Sequence, residues 1–161
     1  MKQLIVTLAF AISLALPVSA QDFGKGVDAY LAGDYATAIK EFTPLAAAGN
    51  VAAQSNLGLM YANGQGVSQD YTEAVKWYRL AAEQGDATAQ SNLGVMYENG
   101  YGVLQDNVMA HMWYNIGAAN GYKIGGTNPD SLSKQMTPAD ISKAQAMARE
   151  CMNSGYKKCE Y

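Results

Sequence analysis

The chain is short of the residue types that most chemistry in proteins requires. Its 161 residues include one histidine, two cysteines, and 11 lysines and arginines against 14 acidic residues. One histidine and two cysteines supply too few soft ligands for a zinc or iron–sulfur site. The absence of excess basic charge excludes a nucleic-acid binder that works by neutralising phosphates. With 49% apolar residues the chain is not a disordered tail, and its length allows one domain or a small pair.

Only one apolar run stands out, and it lies at the start of the chain. Lys2 supplies a positive charge, residues 4–16 are mainly apolar, and Pro17 precedes Val18 and Ala20 at the positions that a signal peptidase reads. A membrane anchor is the alternative, but about 13 apolar residues are fewer than the roughly 20 needed to span a bilayer. The sequence therefore predicts a signal peptide over residues 1–20, cleaved after Ala20. The mature protein is expected in the periplasm or outside the cell, with no stable membrane insertion.

Both cysteines, Cys151 and Cys159, lie in the last eleven residues. An oxidising compartment favours a disulfide between the only two thiols present. The alternative is a pair of free thiols with a redox role, although the spacing is not that of a Cys-x-x-Cys motif. We expect a disulfide that fastens the C-terminal tail.

Glycine and tyrosine are abundant, with 16 and 11 residues, and they mark an internal repeat. Residues 50–85 align with residues 86–121 without a gap, and 19 of 36 positions are identical. Two or three identities would be expected by chance. A weaker copy precedes them, in which Asp34, Tyr35, Ala38 and Gly49 match their counterparts 36 residues later. Terminal repeats are often atypical, because one face has no neighbour.

Each unit reads as two antiparallel helices. In the first clear unit, Leu57, Met60 and Tyr61 are spaced as on one helix face, and a glycine-bearing loop follows over residues 63–69. Asp70 is placed to cap a second helix, with Glu73 as its capping-box partner. Asp106 has the capping role in the next unit.

Gly58 and Gly94 fall inside predicted first helices, where glycine costs about 1 kcal/mol relative to alanine. Such a cost indicates that a neighbouring helix approaches closely at these positions. Trp77, Trp113 and the recurring tyrosines form stripes at helical spacing, which favours packing between helices over an aromatic binding site.

Residues 50–121 resemble the Sel-one-like repeat (SLR) family, relatives of the tetratricopeptide repeats. The positions of the first clear unit that match the family pattern are Ala53, Asn56, Leu57, Gly58, Tyr61, Gly64, Gly66, Val67, Asp70, Ala74, Trp77, Tyr78, Ala81, Ala82 and Gly85. In the second unit Gly117 replaces a usual alanine, and His111 replaces an apolar residue. The resemblance implies an all-α fold, a short right-handed solenoid of antiparallel helix pairs, whose members mostly mediate protein–protein contacts.

The last forty residues differ from the repeats. Residues 122–134 are rich in Gly, Ser, Asn and Pro and read as a loop. Thr137 and Pro138 then mark a helix start, and a helix is predicted over residues 139–152. We interpret it as a capping helix. The predicted organisation is a signal peptide (1–20), a degenerate first repeat (21–49), two repeats (50–85 and 86–121), and a loop with a capping helix (122–161).

The sequence offers no catalytic, cofactor-binding or metal-binding set. His111 lacks a neighbouring Ser or Cys in a recognised nucleophile motif, and packing on the second helix is the more common role. The glycine loops lack the Lys-Ser/Thr of a phosphate-binding loop. They recur at the repeat period, as do Asp70 and Asp106, which indicates an architectural role.

The remaining candidate is a surface on the first helices, which line the inner face of a solenoid. Amide side chains there could bind an extended peptide, or could bond the neighbouring repeat; both readings stay open for Asn56 and Asn92. Positions that differ between the repeats are the better candidates for choosing a partner. The candidate partner-binding residues are Gln54, Asn56, Gln90, Asn92, Glu98 and Tyr101.

The sequence therefore predicts an exported, non-enzymatic scaffold that binds a protein or peptide. One alternative comes from cysteine-rich secreted members of the family, which are linked to binding or hydrolysing penicillin-type compounds. Those carry a disulfide in each repeat, whereas residues 50–121 contain no cysteine. A second alternative is a host-directed effector, which nothing in the sequence distinguishes from the scaffold.

Overall fold

The computed structural model describes residues 22–122 and 129–159, and its secondary structure there is entirely helical. The predicted signal peptide lies outside the described residues. The helices are α1 (Phe23–Leu31), α2 (Tyr35–Ala47), α3 (Val51–Asn63), α4 (Tyr71–Ala82), α5 (Ala87–Asn99), α6 (Asn107–Ala119), α7 (Pro129–Ser133) and α8 (Pro138–Asn153). None of these helices is long and apolar enough to cross a bilayer.

The helices form a stack of pairs. The chain pairs α1 with α2, α3 with α4, and α5 with α6, and each second helix also packs on the first helix of the next pair. The all-α solenoid expected from the repeat is therefore confirmed. The weak first repeat is a complete helix pair, although it lacks the long glycine loop.

Aspartate and asparagine caps set where the helices begin. The Asp70 carboxylate accepts a hydrogen bond from the Glu73 amide at 3.0 Å, as the sequence predicts. The expected return bond of the capping box is replaced by other contacts. The Asp70 amide donates to the Tyr61 carbonyl, which ties the new helix to the preceding one, and the Glu73 carboxylate pairs with Lys76.

Glycines inside the first helices let an aromatic ring lie on the helix backbone. A Cβ added at Gly58 would lie 2.5 Å from Cδ1 of Tyr78, and one at Gly94 would overlap the ring of Tyr114. The close approach predicted at these two positions is confirmed. A third pair, Gly26 with Phe42, repeats the arrangement in the first unit.

A second pair of glycines joins neighbouring units. Gly66 and Gly102 occupy the left-handed region, with φ of +74° and +69°, where residues other than glycine are strained. Each glycine lies against backbone at the start of the preceding unit's second helix. A Cβ on Gly66 would lie 2.6 Å from the Tyr35 carbonyl oxygen, and one on Gly102 would overlap the backbone of Tyr71.

The first unit carries an ion pair where later units carry tryptophan. Trp77 of α4 packs on the apolar cluster that α2 and α3 share, so this side chain seals a joint with the preceding unit. The equivalent position in the first unit is Glu41, which is 5% exposed and bonds Lys25 at 2.5 Å. This bond raises the pKa of Lys25. A charged pair in place of the tryptophan distinguishes the first unit from the two that follow it.

The C-terminal part ends the stack. Helix α8 packs on α6 as α5 packs on α4, and so takes the place that the first helix of another unit would occupy. Its buried residues are Ala144, Met147, Ala148 and Cys151, and a Cys151–Cys159 disulfide ties the tail to it. The predicted loop over residues 122–134 is not entirely irregular, because it contains the single-turn helix α7.

Candidate functional site

Two of the candidate binding residues, Gln54 and Gln90, lie inside the joints between units. Gln90 is fully buried; its Nε2 donates to the Ala82 carbonyl at 3.0 Å, and its Oε1 accepts from Asn120 Nδ2 at 2.8 Å. Gln54, 4% exposed, makes the equivalent bonds to the Ala46 carbonyl and Gln84. Each glutamine connects the ends of two second helices. Since both side chains are enclosed, they offer a partner no surface.

Asn56 and Asn92 are half-buried, at equivalent positions of α3 and α5. The Asn56 side chain donates to the Ala52 carbonyl of its own helix at 2.8 Å. This bond lies within α3 and reaches no neighbouring repeat. A partner-binding role for Asn56 and Asn92 stays a prediction.

Glu98 and Tyr101 lie nearer the surface. The Tyr114 hydroxyl donates to Glu98 Oε2 at 2.5 Å, and burial, together with this bond, raises the pKa of Tyr114. Tyr101 is 41% exposed, and its ring stacks on Tyr71 of the preceding unit, with 4.6 Å between the ring centroids. Both side chains therefore make a structural contact and remain partly accessible to solvent.

The helices α1, α3 and α5 are the first helices of the three units. Side chains at equivalent positions of these helices therefore form rows along the stack. One row is Val27, Leu59 and Val95, each next to its glycine and each half-buried. The next row, one turn later, is Tyr30, Ala62 and Glu98. We call these two rows the first-helix face.

The residues on and beside this face differ from unit to unit. Tyr30, Ala62 and Glu98 place an aromatic, a small and an acidic side chain in one row. The loop position after the row holds Gln65 in one unit and Tyr101 in the next. The Tyr30 hydroxyl bonds Gln65 Oε1 at 3.3 Å, across the joint between the first two units. The buried glutamines of the joints, Gln54 and Gln90, and the packed glycines, by contrast, are the same in both clear repeats.

His111 is buried in the last unit, at 3% exposure. Its Nδ1 lies 2.8 Å from Asn115 Nδ2, and since the amide nitrogen is a donor, Nδ1 serves as the acceptor. Burial lowers the pKa of His111, an effect that the charge of Asp130 opposes. The histidine is therefore neutral at pH 7, held by packing and by a neighbouring amide.

An open groove that the sequence did not indicate lies on α4. Its lining residues include Val75, Lys76, Leu80 and Val103, and the adjoining Leu104 is 90% exposed. The groove lies where the loop of the second clear unit meets the second helix of the preceding one. No periodic signal marks it, because Leu104 stands at a loop position that holds Ser68 in the preceding unit.

Stacked helix pairs, glycine-mediated joints and a terminal cap define a helical-repeat solenoid protein. More particularly, the chain contains two Sel1 repeats. The Sel1 repeat family model matches residues 51–86 and 87–122, each one residue later than the units read from the periodicity. Sel1 repeats are generally scaffolds for protein–protein interaction.

Several solved structures are similar to this chain, and two of them are SLR-fold or Sel1 repeat proteins. The first is c5321, a protective antigen present in uropathogenic Escherichia coli strains and displaying an SLR fold; it is 28% identical, has a TM-score of 0.70 and covers 81% of this chain. The second is a Sel1 repeat protein from Oxalobacter formigenes, 30% identical, with a TM-score of 0.60 and 87% coverage. This chain spans only 30% and 50% of their respective lengths. No curated protein sequence matches the chain.

Proposed function

We propose that this protein is an exported, non-enzymatic scaffold that binds a protein or peptide partner through the first-helix face. The observation that carries the proposal is that the recurring residues and the differing residues have different structural roles. Those that recur in both clear repeats are used for caps, joints and helix contacts. Among the positions that differ on the first helices and in the loops after them, those of Leu59, Ala62 and Gln65 lie on or beside one face. Architecture dictates the first group and leaves the second free to select a partner.

The chemistry of the face suits a peptide. The row of Val27, Leu59 and Val95 is aliphatic, while Tyr30, Gln65 and Glu98 supply hydroxyl, amide and carboxylate groups beside it. Such a mixture can hold apolar side chains and bond the polar backbone of an extended or helical segment.

Binding is tested with a photo-crosslinking amino acid at position 63, at the end of α3, in cells that express the protein. The expected result is one discrete adduct, which untagged wild-type protein displaces in competition. A Leu59→Glu competitor should be at least ten-fold less effective, because it puts a charge into the aliphatic row. Leu104→Glu makes the same change at an exposed loop position and should compete as well as wild type. Equal competition by both variants would refute the first-helix face as the binding site.

Export is tested by fractionation and N-terminal sequencing of the protein expressed without a tag. The expected N-terminus is Gln21, in the periplasmic or extracellular fraction, because the Val18 and Ala20 pattern fits the peptidase. Replacing Ala20 with a bulky residue (Ala20→Leu) should leave the precursor uncleaved. Recovery of protein that starts at Met1 in the cytoplasm would contradict export, whatever the outcome of the binding test.

A further inference from the structure

The connection between α6 and α8 is far longer than the stack requires. Three residues (48–50) connect α2 to α3, and four (83–86) connect α4 to α5. Eighteen residues (120–137) separate α6 from α8, although α8 packs on α6 in the same way. A short turn would therefore have been enough for the cap. The additional chain instead carries α7.

The additional chain brings an apolar side chain onto the first-helix face. Leu132 of α7 is 2% exposed and is buried with Ala110 and Tyr114 of the last unit, where Val95 also packs. Val95 is the last member of the aliphatic row, so the cluster around Leu132 reaches the face at that end, while α7 itself packs mainly on α6. Leu59, at the equivalent position of the preceding unit, is still half-exposed.

The fold of the α7 segment, residues 129–136, depends on that docking. Its amide bonds are local: Gln135 donates to the Leu132 carbonyl at 2.9 Å, and Met136 to the Ser133 carbonyl at 3.2 Å. A helix of five residues is unstable on its own in water. Leu132 and Met136 supply the apolar contacts to the repeat, whereas Ser131 and Lys134 are exposed. The segment is thus a short peptide whose apolar contacts with the repeat come from Leu132 and Met136.

We propose that the α7 segment is a built-in occupant of the first-helix face, and that the partner displaces it by inserting an aliphatic side chain where Leu132 now lies. The expected partner chemistry is a short segment with one leucine-like anchor between polar residues, as in Pro-Asp-Ser-Leu-Ser itself. This inference rests on the proposed function. It adds that the binding site is closed at the last unit until a competitor opens it.

The test uses the full mature chain and a synthetic peptide of residues 129–136 with blocked ends. Leu132→Asp should release the built-in segment, because a carboxylate cannot stay buried among Ala110, Tyr114 and Val95. NMR of the Val95 and Ala110 methyl groups should then show saturable shifts on adding the peptide, with a Kd on the order of 1 mM. Wild-type protein should bind the same peptide at least ten-fold more weakly.

Two controls separate displacement from damage. A peptide with alanine in place of its leucine should bind Leu132→Asp at least ten-fold more weakly, and Leu104→Asp protein should behave as wild type. Leu132→Ala provides a milder release of the segment should the aspartate variant be poorly folded. Absence of saturable shifts in both Leu132 variants, or unfolding of both, would overturn the proposal, because α7 would then be an integral part of the fold.

This test and the test of the proposed function fail in different ways. If the peptide binds in place of Leu132 but no adduct forms at position 63, α7 is displaceable and the proposed partner is refuted. If Leu132→Asp and wild-type protein form the adduct equally well, the partner is supported, but α7 does not compete with it.

Discussion

Gly58→Leu is expected to lower the free energy of unfolding by about 3 kcal/mol or more, since overpacking a tight core costs at least 1–3 kcal/mol. A Cβ at this position already lies 2.5 Å from Cδ1 of Tyr78, closer than non-bonded carbons approach. Tyr78 is 1% exposed, so its ring cannot swing into solvent. The two helices must therefore separate, and urea denaturation followed by circular dichroism measures the loss. Ala146→Leu places the same side chain on the exposed side of α8 and should change stability by less than about 0.5 kcal/mol.

A double-mutant comparison identifies the ring as the cause. With Tyr78 intact, Gly58→Ala should destabilise, although alanine is the better helix former. In a Tyr78→Leu background the ring is gone, and Gly58→Ala should instead stabilise by about 1 kcal/mol, the helix propensity difference. The sign of one substitution thus reverses with its neighbour. A melting temperature that Gly58→Leu leaves unchanged, or a sign that does not reverse, would contradict the account of this contact.

Reduction of the Cys151–Cys159 disulfide is expected to cost about 2 kcal/mol, mainly through the freedom regained by the unfolded tail. The loss should be local, because units of a repeat stack contact only their neighbours. Amide hydrogen exchange should rise in α8 and in the end of α6 that α8 covers, and should change little in α3. Melting with and without dithiothreitol gives the overall effect.

The matched control for reduction is the Cys151→Ala, Cys159→Ala double variant. It should melt close to the reduced wild type and should not respond to dithiothreitol. Two reactive thiols in oxidised protein would show that the tail is not bonded, and identical exchange in oxidised and reduced α8 would show that the bond does not fasten the cap.

The regular part of the fold could be predicted because each repeat contains its own local signals. The Asp70 cap and the buried Gly58 and Gly94 follow from residue type and spacing alone. Gly26 was missed because the first loop is shorter by four residues, so the 36-residue offset that aligns α2 with α4 does not align α1 with α3. A shorter offset brings Gly26 onto Gly58.

The surface was harder to predict than the fold. First helices pack against a neighbour on either side, so alanine, leucine and methionine surround the helix and no single polar face reveals which residues are exposed. Gln54 and Gln90 looked like surface amides for this reason, although they bond carbonyls and side chains inside the joints. Glu98 and Tyr101, selected because they differ between repeats, do reach the surface. The docking of α7 had no sequence signal beyond Leu132, a single apolar residue in a polar stretch.

The glycine joints also bear on how such a chain can lengthen. Gly66 and Gly102 lie against the backbone of the preceding unit, at Tyr35 and Tyr71, where any residue presents the same carbonyl. A joint of this kind does not depend on the side chain of its neighbour. At this contact a duplicated unit can therefore lie beside another without a compensating substitution, and the inserted copies can then diverge at their exposed positions. The 19 identities between the two clear repeats accord with such a duplication.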